Sequence, residues 1–226
     1  MGVSVNHGAC RFPIRSFLGL VLLLEAGSMT AAEFPVPAID IPAATSGQTA
    51  TAVVAGGCFW GVAAVFERLN GVSASVAGYA GGKASTAHYN MVGTGETGHA
   101  ESVKITYDPS RISYGKLLEV FFAVAHDPTQ LNRQGPDEGP QYRSAIFYAT
   151  DEEKRVAEAY IAQLNQAKVF RRPIVTQVVP LPGFYAAEQY HQQFLDRNPN
   201  NPYIVYNDMP KLSELKRRFP DLVKPH

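Results

Sequence analysis

The stretch Thr51-Ala52-Val53-Val54-Ala55-Gly56-Gly57-Cys58-Phe59-Trp60-Gly61 decides how the rest of the chain is read. Thr51 to Ala55 is a short apolar run of the kind a buried strand uses. Beyond Gly61 the spacing changes, and Val62, Val65, Phe66 and Leu69 fall on one face of a helix. Cys58 therefore lies where a buried strand turns into a helix. The glycines around it let the backbone turn sharply and let a ligand come close. Unpaired N–H groups at a helix N-terminus favour negative charge, so a thiol here is expected to have a lowered pKa and to act as a nucleophile. The plainer alternative is a small buried cysteine. The Gly56-Gly57 pair and the aromatic Trp60 argue for the functional reading.

Working outward, the chain has 226 residues, 20 basic and 20 acidic, with no net formal charge and 46% apolar residues. That suits one domain with a substantial core. The charge balance gives no reason to expect nucleic acid or a membrane surface as partner. At the N-terminus, Arg11 and Arg15 precede the apolar run Ser16 to Leu24, and small residues follow to Ala31 and Ala32. This is the arrangement of a secretory signal peptide, with an apolar run too short to anchor the chain in a membrane. Residues 1–32 are thus expected to be a signal peptide, 33–50 a linker or N-terminal arm, and 51–226 the domain, exported to the periplasm. Glu25 interrupts the apolar run, and a cytoplasmic chain with an N-terminal extension is the alternative. The two cysteines are Cys10 and Cys58. Loss of the leader leaves Cys58 alone, and a lone thiol in an oxidising compartment is a liability unless buried or used.

Strand and helix patterns interleave along the domain. Gly71 to Gly78 and Glu101 to Tyr107 alternate as strands, and Val92 to His99 is glycine-rich and irregular. Ser113 can cap a helix with Leu117, Leu118, Phe121, Phe122 and Ala125 on its apolar face. A long loop, His126 to Gln141, precedes a strand over Ser144 to Ala149. Thr150 and Glu153 form a capping-box pattern for a helix facing inward through Val156, Ala157, Tyr160, Ile161 and Leu164. A strand is expected over Ile174 to Val179 and a helix face at Ala187, Tyr190, His191, Phe194 and Leu195. Asn198 to Tyr206 reads as extended, and Leu212, Leu215 and Phe219 suggest a last short helix. The pattern implies helices packed on a mixed or antiparallel sheet, with much loop.

Several residues could carry chemistry. Glu101 shares its parity with Val103 and Ile105, which puts it on the apolar side of its strand. A carboxyl held there has a raised pKa and can serve as a general acid; a solvated strand-end carboxylate is the alternative. Tyr89 and Tyr142 lie in loops and carry hydroxyl donors. Asp137, in the Pro/Gly-rich loop, reads by itself as a turn residue. Phe59 could be plain core. His191, beside Tyr190 and Phe194, reads as a hydrogen-bonded core histidine. No Cys/His cluster has metal-ligand spacing, so neither a metal nor a bound cofactor is expected.

Gly57-Cys58-Phe59-Trp60-Gly61, Gly78-Tyr79-Ala80-Gly81-Gly82, Gly98-His99-Ala100-Glu101 and the segment Asp137 to Gln141-Tyr142-Arg143-Ser144 follow one another in this order. They resemble the successive motifs of the A-type peptide methionine sulfoxide reductases, over roughly Thr51 to Leu222. The resemblance implies an α+β fold, a ferredoxin-like two-layer sandwich with a mixed sheet wrapped by long coil. It implies attack by Cys58 on the sulfur of methionine S-sulfoxide, free or in proteins, with Glu101 protonating the oxygen. Tyr89 and Tyr142 would hydrogen-bond that oxygen, with Asp137 in the same network. Phe59 and Trp60 would form the pocket for the S-methyl group, with Tyr203 added to it. Asn198 to Met209 lacks the resolving cysteine of many relatives, which resembles the single-cysteine subgroup. A Cys58 sulfenic acid would then be recycled by an external thiol: a thioredoxin-like, glutaredoxin-like or low-molecular-weight one. A monomer is expected. Two other readings stay open, a Cys-dependent hydrolase or thiol peroxidase, and a secreted aromatic-rich binding module.

Overall fold

Two crossovers build the central sheet in the computed structural model, which describes residues 1–4, 34–45 and 47–225. Strand β1 (Ala50–Gly56) runs into α1 (Phe59–Glu67), which returns the chain to β2 (Val72–Ala80). A loop with the short helix α2 (Tyr89–Val92) leads to β3 (Ala100–Tyr107), which lies between β1 and β2. Helix α3 (Tyr114–Val120) and a loop containing the hairpin β4 (Arg133–Gln134) and β5 (Asp137–Glu138) carry the chain to β6 (Ser144–Tyr148). The inner order β6-β1-β3-β2 is antiparallel throughout, which is the ferredoxin-like arrangement of two split βαβ units. After α4 (Asp151–Gln166), β7 (Gln177–Pro180) joins β6 in parallel, and β8 (Phe184–Ala186) joins β2 antiparallel. The sheet is therefore mixed, as expected. Helices α5 (Phe194–Arg197) and α6 (Met209–Arg218) follow.

The chain divides into Met1–Glu33 and Phe34–His226. Met1 to Ser4 has no regular structure. The proposed leader run and Cys10 fall outside the described residues. Phe34 to Thr45 lies along the domain: the Tyr160 hydroxyl donates to Pro35 O at 2.6 Å, and Asp40 accepts from Gly115 N at 2.7 Å at the start of α3. No helix among the described residues is long and apolar enough to cross a membrane.

The pleat of β1 explains its apolar run. Ala52 and Val54 face the main core, while Val53 and Ala55 face a second cluster with Ala80, Ala100, Ala145 and Phe147. Both faces are buried, so no polar alternation is needed. Val62, Val65, Phe66 and Leu69 are fully buried against the sheet, each such side chain contributing about 1.5–3 kcal/mol. The Ser113 hydroxyl accepts from Lys116 N at 3.1 Å, and Thr150 accepts from Glu153 N at 3.2 Å. Glu153 reaches Ala149 N at 2.6 Å, one residue further back than a reciprocal capping box.

The C-terminal part departs from its sequence pattern. The helix expected over Ala187 to Leu195 is broken at Gln193, whose φ of 52° is left-handed. The reason lies next door: the Gln192 amide accepts from Ala77 N at 3.0 Å and donates to Ala77 O at 2.9 Å, pinning the segment to β2. Asn198 to Tyr206 is not extended but turns helical from Pro202 and runs through a π-helical turn, Ile204–Asp208, into α6. Asn201 starts that turn by accepting from Tyr203 N at 2.9 Å. The strand expected from Ile174 begins only at Gln177, because Ile174 N donates to the Asn165 side chain at 3.0 Å. Strand β8 and the β4–β5 hairpin carry no sequence signal of their own.

Candidate active site

Cys58 is the N-cap of α1, 8% exposed, at the C-terminal edge of β1. Gly57 before it has φ of 89°, and a Cβ there would lie 2.4 Å from Gln134. Only glycine satisfies both the left-handed turn and the close approach of the loop. One residue on, Phe59 N donates to Glu101 Oε2 at 3.0 Å. Glu101 sits on β3 opposite Tyr79 of β2 and is 4% exposed, on the core side that its parity predicts. Burial pushes its pKa up to about 8; the Phe59 N–H opposes this and the nearby Asp137 carboxylate adds to it. Glu101 is therefore a carboxylic acid at neutral pH, able to donate a proton.

A cavity of about 180 Å³ opens at this point, lined by Cys58, Phe59, Trp60, Tyr89, Glu101, Asp137, Tyr142 and Tyr203. All eight residues singled out in the sequence thus converge. Trp60 stacks on Phe194 at a centroid distance of 3.8 Å and meets the edge of Tyr203 at 5.9 Å. The Tyr203 hydroxyl donates to Asp137 Oδ2. The tyrosine hydroxyls of Tyr89 and Tyr142 have raised pKa values, first through burial and then through Glu101, and stay protonated donors. One side of the cavity thus offers rings and the other offers O–H groups.

The thiol itself corrects the sequence expectation. The Cys58 pKa is raised well above the ordinary thiol value, not lowered. Burial is the largest cause, and the Glu101 and Asp208 carboxyl groups add to it. The Trp60 N–H and the Lys211 ammonium oppose, and they do not win. A helix N-terminus stabilises a thiolate by a modest amount, and desolvation of the whole ion exceeds it.

Sequence reasoning missed the residues behind these walls. Glu188 Oε1 accepts from Tyr89 N at 3.0 Å and Oε2 from the Tyr79 hydroxyl at 2.8 Å, which holds Tyr89 in place. Arg143 donates to Pro140 O and Gly98 O, both at 2.9 Å, tying the loop of Tyr142 to the approach to Glu101. Asp208, fully buried, accepts from Lys211 Nζ at 3.0 Å, and the pair packs on Gly61. A Cβ at Gly61 would lie 2.0 Å from Asp208 Oδ1, which explains the last glycine of the Cys58 motif. No periodicity or motif reading marked Asp208 or Lys211. The residues a hydrolase would need point elsewhere. His126 Nε2 bonds Ser144 Oγ at 2.7 Å and its Nδ1 bonds Phe121 O at 3.1 Å; His99 is bonded to Gly82 N and Lys83 O. Among the described residues, no group of three or more His, Cys, Asp or Glu could hold a metal ion.

Known proteins are similar to this chain over most of its length. The family model for peptide methionine sulfoxide reductase matches residues 50–222. Peptide methionine sulfoxide reductase MsrA 2 of Mesorhizobium japonicum is 59% identical over 76% of this chain and 88% of its own length. The MsrA 2 of Synechocystis is 49% identical over 90% of this chain and 98% of its own. Among solved structures, methionine sulfoxide reductase A of Corynebacterium diphtheriae superposes with a TM-score of 0.60 at 36% identity, over 74% of this chain and 86% of that one. Reduced Mxr1 from Saccharomyces cerevisiae gives 0.61 at 33% identity, over 68% and 88%. With a thiol, a protonated carboxyl and phenol donors around one small aromatic-walled cavity, and with these relatives, the chain belongs to the peptide methionine sulfoxide reductase family, A type.

Proposed function

We propose that Cys58 reduces methionine S-sulfoxide, free or in oxidised proteins, with Glu101 as general acid. The observation that carries this is the cavity in which a buried thiol, a carboxyl protonated at neutral pH and two aromatic walls meet. A methyl group needs apolar contact, and Phe59 and Trp60 supply it. An S=O oxygen needs donors, and Glu101, Tyr89 and Tyr142 supply them. The Cys58 sulfur attacks the sulfoxide sulfur while Glu101 gives its proton to the oxygen, and the thiol proton replaces the one Glu101 lost. The oxygen passes to Cys58. In sum, thiol and sulfoxide become sulfenic acid and thioether: the cysteine sulfur is oxidised by two electrons and the methionine sulfur is reduced by two. Because the resting thiol is protonated, substrate must arrive before the nucleophile is formed, which protects an exposed-compartment thiol from idle oxidation.

Residues 198–226 hold no cysteine, and Cys58 is the free cysteine among the described residues. An external thiol, thioredoxin-like, glutaredoxin-like or of low molecular weight, then returns Cys58 to its reduced state. The Arg11, Arg15 and Ser16–Leu24 pattern supports export to the periplasm, where the enzyme acts as a monomer in protein repair. The test is a single turnover. Protein treated with methionine sulfoxide without reductant, then trapped with dimedone, should yield one methionine per chain and a sulfenic adduct on Cys58. Cys58→Ser should yield neither. Folded, reduced protein giving no adduct and no methionine would sink the reading.

A further inference from the structure

Trp60 is the single tryptophan of the chain, and its indole Nε1 donates to His191 Nδ1 at 3.1 Å. An Nδ1 that accepts carries no proton, so the neutral ring bears its proton on Nε2. That Nε2 is buried and has no hydrogen-bond partner. His191 is 2% exposed, and its ring centroid lies 5.0 Å from Phe59, 4.4 Å from Tyr89 and 4.2 Å from Tyr190. It thus backs three residues of the cavity, Phe59, Trp60 and Tyr89, at once. The other Trp60 ring contacts, the stack on Phe194 and the edge of Tyr203, are van der Waals contacts without a fixed direction. The hydrogen bond to His191 is the directional contact on the ring.

We propose that neutral His191 is a positioning residue that holds the Trp60 ring as a wall of the methyl pocket, and that protonation of His191 breaks the bond and frees the ring. The proposal rests on the reading of Trp60 as that wall. An imidazolium has N–H donors on both nitrogens and would set one against the indole N–H. The Arg197 guanidinium of α5 donates to the Gln189, Tyr190 and Gln192 carbonyls of the turn that carries His191. Glu188 lies on the same turn, with its carboxylate already engaged by Tyr79 and Tyr89. Tyr89 and Tyr190 present phenol rings, α1 presents Phe59 and Trp60, and α5 presents Phe194, stacked on Trp60. Beyond Phe59 lie Cys58 and Glu101. Burial outweighs the attraction of Glu188, and His191 stays neutral below the ordinary imidazole range.

The experiment uses the full chain and its single tryptophan. Emission of Trp60 followed from pH 8 downward should show a transition with a midpoint below about 6.5, the unperturbed imidazole value. In His191→Gln, where an amide oxygen can accept from the indole at any pH, that transition should vanish. His191→Phe should raise KM for methionine sulfoxide about tenfold with kcat within about threefold, the cost of one buried hydrogen bond. His191→Gln should recover most of that loss. A transition that persists in His191→Gln overturns the proposal, as does a His191→Phe enzyme with native KM and emission. Should His191→Phe fail to fold, the glutamine titration decides alone. Trp60→Phe separates the two ideas: unchanged KM in that variant refutes the pocket reading, while the wild-type emission transition still tests the bond to His191.

Discussion

Ala50–Tyr107 and Gln177–Arg218 contribute to one cavity by different means. The first segment holds β1, α1, β2 and β3, whose side chains are aimed by the pleat and the helical repeat, with the short α2 in the loop between β2 and β3. It presents Cys58, Phe59, Trp60 and Glu101 on elements tied by ladders of backbone hydrogen bonds. In the second, β7 and β8 join the sheet edges by short ladders, but from Ala187 onward the chain is turns and short helices held largely by single side-chain bonds: Gln192 to Ala77, Glu188 to Tyr89, Asn201 to Tyr203 and Lys211 to Asp208. A ladder is redundant, and each of those single bonds is not. The first segment therefore sets where the chemistry occurs, and the second sets the fine shape of the pocket and can be loosened one contact at a time.

The largest effect should come from within the frame. Glu101→Gln should lower kcat by about 10²–10⁴-fold without unfolding the protein. Since the acid form is the active one, the wild-type rate should decline as pH rises through about 8. The stability that this neutral carboxyl supports is complete below its unfolded value of 4.5 and is lost as pH rises toward 8, so the glutamine variant should also flatten that loss. A full-rate Glu101→Gln enzyme would mean the frame does not aim the acid.

His126, outside the frame but packed against Gly56 at the end of β1, tests it at the other end of the pH scale. Burial depresses its pKa to about 4 from 6.5. Stability is complete above 6.5 and should fall by about 3 kcal/mol as pH drops to 4, since the unfolded chain takes up the proton first. Denaturation curves at the two pH values check this, and His126→Asn should lose most of the difference.

Gly61→Ala attacks the seam between the two segments. Its Cβ displaces the Asp208–Lys211 pair and should cost about 1–3 kcal/mol. Hydrogen exchange should quicken at 204–218 while β1 and β3 stay protected; equal loss in both would erase the distinction drawn here. The smallest effect belongs to Thr150→Ala, which removes a cap far from the cavity. It should cost about 1 kcal/mol in thermal or chemical denaturation and leave turnover unchanged.

Much of the frame was legible because its signals are local. The apolar run of β1, the helical spacing of α1 and the parity of Glu101 each depend on neighbours within one element. The wrap was not legible for the opposite reason. Ala187 to Leu195 has a good helical face, yet Gln192 makes two bonds with Ala77 of β2 and Gln193 takes a left-handed turn beside it. Asn198 to Tyr206 is rich in asparagine and proline, which are poor in a helix interior, though Asn201 starts one here.

By itself the sequence determined the strand–turn–helix around Cys58 and the α+β class, and its family resemblance pointed to the eight residues that line the cavity. Only the tertiary structure decided that the Cys58 thiol rests protonated, that Gly61 is needed to seat Asp208 and Lys211, and that Trp60 leans on His191. The physical reason is range. Periodicity is read between residues a few positions apart, whereas desolvation depends on everything packed around a group, and the Trp60–His191 bond joins residues 131 positions apart.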